Sequence, residues 1–244
     1  MANKFFENFP KLQYKLDDGR IIYIKDWFRK TKIEQEAVNS IVSYNKYDIL
    51  DGERPDIVAT KLYGNPDLHW TFFLVNDFEN YYDWHKDNVT FENYINKKYP
   101  GSFLIGENRT DILSGSDDTV SKFLLGETVT QGNRTGHVTI VDPIGKRIAI
   151  DVNNFVSNVA VTGSNSGKSF TPVNVINQRD GVHHYQNSDG IIRNESLAGF
   201  TAKTFYDYEF ELNEAKRSIK VIDPSRIKQI VRRFEKIMLS WVIF

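Results

Sequence analysis

Apolar and polar positions change period several times along this chain. Residues 11–16 alternate and predict a strand, Asp17-Asp18-Gly19 a turn, and Ile21 to Ile24 a second strand. Asp26 ahead of Trp27 and Phe28 predicts one capped helical turn. This opening, residues 1–45, is too thin for a core of its own and reads as an arm lying on another domain or chain. Residues 46–100 carry the clearest pattern. Residues 47–50 predict a short strand and Asp51-Gly52 a turn. Glu53-Arg54-Pro55-Asp56 opens a helix, with proline and acids suited to its first turn. Gly64 sits where a left-handed cap ends that helix. Asn65-Pro66-Asp67 opens a second helix, whose body from Leu68 to Asn76 is apolar nearly all round and therefore expected to be buried. Tyr81-Tyr82-Asp83-Trp84 leads out, so the unit reads strand, helix, helix, strand.

Residues 103–200 change character. Short β-branched runs at 127–131, 137–141, 147–152, 156–161 and 169–175 alternate with Gly/Asn/Pro turns, and 182–186 with 191–193 predict a further hairpin. The pattern predicts an inserted small all-β barrel or sandwich. Phe103-Leu104-Ile105-Gly106-Glu107 recurs as Phe123-Leu124-Leu125-Gly126-Glu127, by duplication or by chance. In residues 201–244, partial alternation at 204–212 predicts a strand. Asp223-Pro224 then caps an amphipathic helix with Ile227, Ile230, Val231, Phe234, Ile237, Met238 and Trp241 in one stripe. The fold class expected is α+β.

Composition narrows the function. With 31 Lys and Arg against 32 Asp and Glu, the chain projects no general field toward nucleic acid or an anionic membrane. It has no cysteine, which removes disulfides and thiolate zinc sites. The residues after Met1 show no secretory leader, and no apolar run reaches the roughly 20 residues of a membrane span. Seventeen Phe and twelve Tyr suggest sticky surface, internal or shared with partners. The basic residues beside the last stripe, Arg226, Lys228, Arg232, Arg233 and Lys236, read as a solvated face, or as a face for an acidic neighbour.

The most enzyme-like phrase is Gly163-Ser164-Asn165-Ser166-Gly167-Lys168-Ser169. A phosphate-binding loop needs glycine, four residues, then Gly-Lys-Ser/Thr opening a helix. Counting back from Gly167 places the required glycine at Thr162, and Pro172 with β-branched neighbours follows in place of a helix. The phrase therefore predicts a hairpin turn. The five histidines show no metal spacing, and His183 and His184, adjacent in a strand, should point to opposite faces. Asp17-Asp18 and Asp117-Asp118 read as solvated turns. No catalytic set, metal site or cofactor site is expected.

The run from Ile57 to Asn76 resembles a LysM module, in which a first helix ends in Tyr-Gly and a second carries Trp and closes on Asn; here these are Tyr63, Gly64, Trp70 and Asn76. The longer phrase from Asp51 to Asp77, the Phe-Glu-Asn-Phe-Pro opening at Phe6 to Pro10, and the Tyr81 to Trp84 exit together resemble the baseplate wedge protein family (gene fifty-three type) of T-even-like contractile-tailed bacteriophages. The resemblance implies a non-enzymatic structural protein of the virion tail, assembled in the host cytoplasm. It also implies partners among other wedge proteins and copies in adjacent wedges. The aromatic anchors expected at such interfaces are Phe5, Phe6, Trp27, Tyr81, Tyr82, Trp84, Trp241 and Phe244. The alternative is a peptidoglycan-binding LysM module, with Asp51, Gly52, Glu53 and Tyr63 along the glycan groove.

Overall fold

The computed structural model describes residues 9–26, 44–106 and 122–240. The chain divides into two compact units, Met1–Asp87 with Asn213–Phe244, and Asn88–Leu212.

The first unit opens with an antiparallel hairpin, β1 (Lys11–Lys15) and β2 (Ile21–Lys25), with Lys11 opposite Lys25. Strand β3 (Tyr44–Asp48) starts three residues earlier than the apolar run alone suggested. Helix α1 (Pro55–Tyr63) has proline in its first turn and ends at Gly64, whose φ of 68° and amide bond to Thr60 O make a left-handed cap. The second helix forms in two pieces. The Asn65 side chain accepts from the Asp67 amide to start a 3-10 turn (Pro66–His69), which runs into α2 (Trp70–Val75). Trp70, Thr71 and Phe72 are buried, as an all-round apolar helix requires.

The expected closing strand at 81–84 is not a strand. Asn80 and Asp83 form a reciprocal capping box around a 3-10 turn, Tyr81–Asp83. The strand that pairs with β3 comes from the end of the chain. It is β14 (Ser218–Ile222), antiparallel, with Asp48 opposite Ser218 and Tyr44 opposite Ile222. It joins two clusters. Ile219 and Val221 pack with Ile49, Val58, Ala59, Phe72 and Trp84. Ile222 packs with Phe9, Leu68 and Trp70. Helix α5 (Ile227–Ser240) lays Ile227, Ile230, Val231 and Phe234 on that second cluster, the stripe its sequence carries. Asp223 starts it by accepting from the Ser225 amide and hydroxyl.

The second unit begins with α3 (Asn88–Lys98), which buries Phe91 and Ile95 one turn apart and places Lys97 and Lys98 at its carbonyl end. Strands β4 (Ser102–Ile105), β5 (Thr128–Gln131), β6 (Arg134–Asp142), β7 (Arg147–Ile150), β8 (Val161–Gly163), β9 (Ser169–Phe170) and β10 (Asn174–Asn177) form one sheet in the order β10-β4-β7-β6-β5-β8-β9. The long strand β6 holds it together. Its first half pairs with β5 and its second with β7, with a bulge between Val138 and Ile140 that bends the strand between the halves. Leu104, Val129, Val138, Ile148, Ile150, Phe155 and Val161 fill the core. The sheet is open, and among the described residues there is no closed barrel.

Two further expectations are corrected here. The run at 156–161 is not a strand until Val161, because Asn158 adopts a positive φ of 61°. The run at 169–175 is split at Pro172, which has no amide to give to a ladder. The two five-residue repeats do not share a conformation either: Phe103 to Ile105 lie in β4, whereas Phe123 to Gly126 lie in turns.

Strands β11 (Val182–Gln186), β12 (Ile192–Arg193) and β13 (Thr201–Thr204) make a three-stranded sheet with β11 central. The strand expected at 204–212 is helix α4 (Phe205–Ala215). Thr204 Oγ1 accepts from the Asp207 amide, and the Asp207 carboxylate accepts from the Thr204 amide and hydroxyl. This capping box outweighs the partial alternation that follows it.

Candidate functional site

The motif residues of the first unit turn inward. Asn76, at the end of α2, donates from Nδ2 to Lys220 O at 2.8 Å and to Phe72 O at 2.9 Å, and its Oδ1 accepts from the Lys220 amide at 2.8 Å. One side chain thus binds a helix end and both backbone groups of a β14 residue. Tyr63 donates its hydroxyl to Ile222 O at 3.0 Å, two residues along the same strand. Burial pushes that phenol up to about 12, so it stays a donor. Trp70 is buried with its ring 4.7 Å from Phe234. Gly64 supplies the turn between the helices. The four residues hold the last strand and helix onto α1 and α2.

The residues along the supposed glycan groove are similarly engaged. The Glu53 carboxylate accepts from Tyr47 Oη at 2.7 Å, the Leu50 amide at 3.0 Å and Lys61 Nζ at 3.1 Å. Burial opposes its charge, but those donors hold its carboxyl below the usual range. The Glu53 carbonyl accepts from Trp84 Nε1 at 2.8 Å.

Of the eight aromatic anchors, Tyr81 and Tyr82 stand on the surface, 57% and 76% exposed. Trp84 does not. It is buried beside Phe72, Phe73 and Phe78, and its indole N–H serves the Glu53 carbonyl, so it is a core residue. Phe5, Phe6, Trp27, Trp241 and Phe244 lie outside the described residues. A larger apolar surface escaped the choice of anchors: hairpin β1–β2 exposes Leu12, Tyr14, Ile21, Ile22, Tyr23 and Ile24. The strands were legible from sequence. That nothing among the described residues covers their side chains was not, since period alone does not say which strands find a second layer.

The glycine-rich phrase makes the expected hairpin turn between β8 and β9, with Val161 opposite Phe170. Its amides do wrap an anion, which is the protein's own. The buried Glu127 carboxylate accepts from the Ser166 amide at 3.0 Å, the Asn165 amide at 3.2 Å and the Leu124 amide at 2.6 Å. Burial opposes that charge, and the Ser166 and Leu124 amides hold it below the ordinary carboxylate range. A Cβ at Gly163 would lie 2.5 Å from Glu127 Oε2, so glycine is required there for the carboxylate to enter. A phosphate has no room in a nest already filled.

His183 and His184 depart from the strand expectation. A register shift between Val182 and His184 turns both rings to one side, with their Nδ1 atoms 2.8 Å apart and Tyr208 stacked on His183 at 4.2 Å. One ring donates and the other accepts, so the pair shares a single proton at this contact. Burial, and then the His184 ring, lowers the His183 pKa. Among the described residues no group of three or more His, Cys, Asp or Glu is placed to hold a metal ion. A polar cleft of about 520 Å³ in the second unit is lined by Asn96, Asn153, Asn177 and Arg179. Arg179 is tied to Glu92 at 2.8 Å and Asn96 at 2.9 Å, and Asn177 to Asp180 at 3.1 Å. No helix among the described residues is long and apolar enough to cross a membrane.

Polar groups thus turn inward around a distant strand, and apolar side chains stand exposed on the β1–β2 ribbon. Residues 4–113 match the family model described as base plate wedge protein 53, and over that span the chain is similar to this family of phage baseplate proteins. The chain has no significant match among curated proteins. The matched span takes in the hairpin, β3, α1, α2 and all four motif residues.

Proposed function

We propose that the chain is a structural component of a contractile phage tail, joining neighbouring wedge subunits in the inner baseplate during assembly. The match to the wedge family over residues 4–113 carries this reading. In it, β3, α1, α2 and β14 form a LysM-like block, with the second unit inserted between its second helix and its last strand. The block supplies rigidity, and Tyr81, Tyr82 and the hairpin supply contact. Copies around the ring add avidity. Partners are other wedge proteins and copies in adjacent wedges; the site is the virion tail, reached after assembly in the host cytoplasm.

The peptidoglycan alternative needs free polar groups along the groove, and Glu53 and Tyr63 already serve Tyr47, Lys61 and Ile222. Electron microscopy of purified tails carrying a label on residue 244 tests the proposal. A label ring at the baseplate is expected. Tails without label, from cells in which the chain is retained on purified cell wall, would replace the assembly role with glycan binding.

A further inference from the structure

The two faces of hairpin β1–β2 differ. Residues directly opposite in an antiparallel pair share a face. Leu12 faces Ile24 and Tyr14 faces Ile22, so one face is wholly apolar. The other carries Lys11 beside Lys25, Gln13 beside Tyr23, and Lys15 beside Ile21. The six large apolar side chains on the two faces are between 37% and 64% exposed. The ribbon is closed at its base by the Asp26 amide bonded to Pro10 O, and it is rooted by Phe9, which is buried among Trp70, Ile227 and Phe234. A two-stranded ribbon with no second layer is marginal in water. This one is held in place at its root, and among the described residues nothing covers either face.

We infer that the hairpin is an insertion arm. It enters a cleft of a different tail subunit, one wall of which is apolar and the other carboxylate-bearing. This rests on the assembly role proposed above and names the surface and the partner chemistry for it. Two arguments select the occupant. The first is area. The four side chains of the apolar face expose on the order of 400 Å². Two copies stacked on that face would bury about 800 Å² in all, short of the roughly 1,200 Å² of a stable interface. They would also leave Ile21 and Tyr23 in water. A cleft that takes both faces approaches the required area. The second is charge. Stacking two copies through the other face would set Lys11 and Lys15 against their own kind, whereas carboxylates on a foreign wall complement them.

Hydrogen exchange on the full-length chain, isolated and within purified tails, tests this. The amides of residues 11–25 should exchange at least tenfold more slowly in tails. In tails, Tyr14→Ser with Ile22→Ser, and separately Lys11→Glu with Lys15→Glu, should each lower incorporation at least tenfold, while Lys11→Arg with Lys15→Arg restores it. Equal exchange in both states, with the chain present in tails, overturns the arm and leaves the assembly role standing. Absence of the chain from tails overturns both. A photocrosslinker at Tyr14 should capture a second, different polypeptide in purified tails; a crosslink joining two copies of this chain overturns the chosen occupant.

Discussion

The two compact units close their sheets with different stretches of sequence. In the second, β5, β6 and β7 pair in succession and β8 with β9 across a short turn, and β4 joins them through the more distant β7 and β10. In the first, β3 waits for β14, which arrives after the whole of the other unit has intervened. Local pairing loses little chain entropy before its contacts form; distant pairing loses more. The distant strand is accordingly secured by more than its ladder. Asn76 and Tyr63 hold its backbone, and α5 covers its Ile222 side. The strand that arrives from the far end of the chain thus recruits specific polar side chains beyond its ladder.

The largest test of this contrast removes the cover. Phe234→Ala deletes a buried ring that packs on Trp70, at a cost of about 3–5 kcal/mol. Hydrogen exchange resolved by unit should show β3 and β14 amides opening together, with β5–β7 unchanged. Equal loss of protection in both units would show that they do not open separately. Asn76→Ala follows. It strips partners from the Lys220 amide and carbonyl and from Phe72 O, and about 2 kcal/mol is expected from urea unfolding. Asn76→Asp keeps the acceptor for the Lys220 amide but sets a carboxylate against the Lys220 and Phe72 carbonyls, so it should rescue little. A full rescue would mean that the Lys220 amide alone matters.

The same contrast explains what the sequence discloses. The β1–β2, β6–β7 and β11–β12 hairpins, the caps of α1 and α5, and the decoy turn at Gly163 are written in neighbouring residues. The identity of the strand beside β3 is not, since Ser218–Ile222 carries no mark of its distant partner. Helix α4 was legible in principle: Thr204-Phe205-Tyr206-Asp207 is a capping box, and partial alternation obscured it. The His183–His184 contact depends on a bulge, which strand period cannot foresee. At the candidate site, Tyr63, Gly64, Trp70 and Asn76 could be picked out by resemblance, but their role as clasps for β14 required the fold. Trp84 was misplaced because an aromatic cluster reads the same whether it faces a core or a partner.

A smaller effect is expected where the second unit does use a specific polar group. Glu127→Gln keeps the size of the side chain but removes the charge that the Ser166, Asn165 and Leu124 amides surround. A loss of about 1–2 kcal/mol is expected, measured by thermal unfolding. Its carboxyl is held below 4.5 in the fold, so this stabilisation is present above that pH and is lost as the pH falls through the folded value. The variant should therefore lose its disadvantage in acid. A variant as stable as the parent at pH 7 would make the nest a passive turn and show that this local hairpin needs only alternation.

The smallest effect lies at the entry to β14. Glu214 pairs with Arg217 through two bonds of 2.8 Å and accepts from His85 Nε2 at 3.2 Å, while Arg217 O receives the Ile49 amide at the end of β3. The Arg217 guanidinium first, against burial and with help from His85, holds the Glu214 carboxyl down to about 2. A depressed carboxylate stabilises the fold above its ordinary value of 4.5 and ceases to do so as the pH falls to about 2. Glu214→Gln should change little at pH 7, because the pair is partly exposed and screened. Between pH 4.5 and 2, the exchange protection of β3 and β14 should fall less steeply in the variant than in the parent, with the slope for β5–β7 the same in both. Parallel slopes for β3 and β14 would remove this ion pair from the set of clasps and leave Asn76 and Tyr63 as the polar ties on the distant strand.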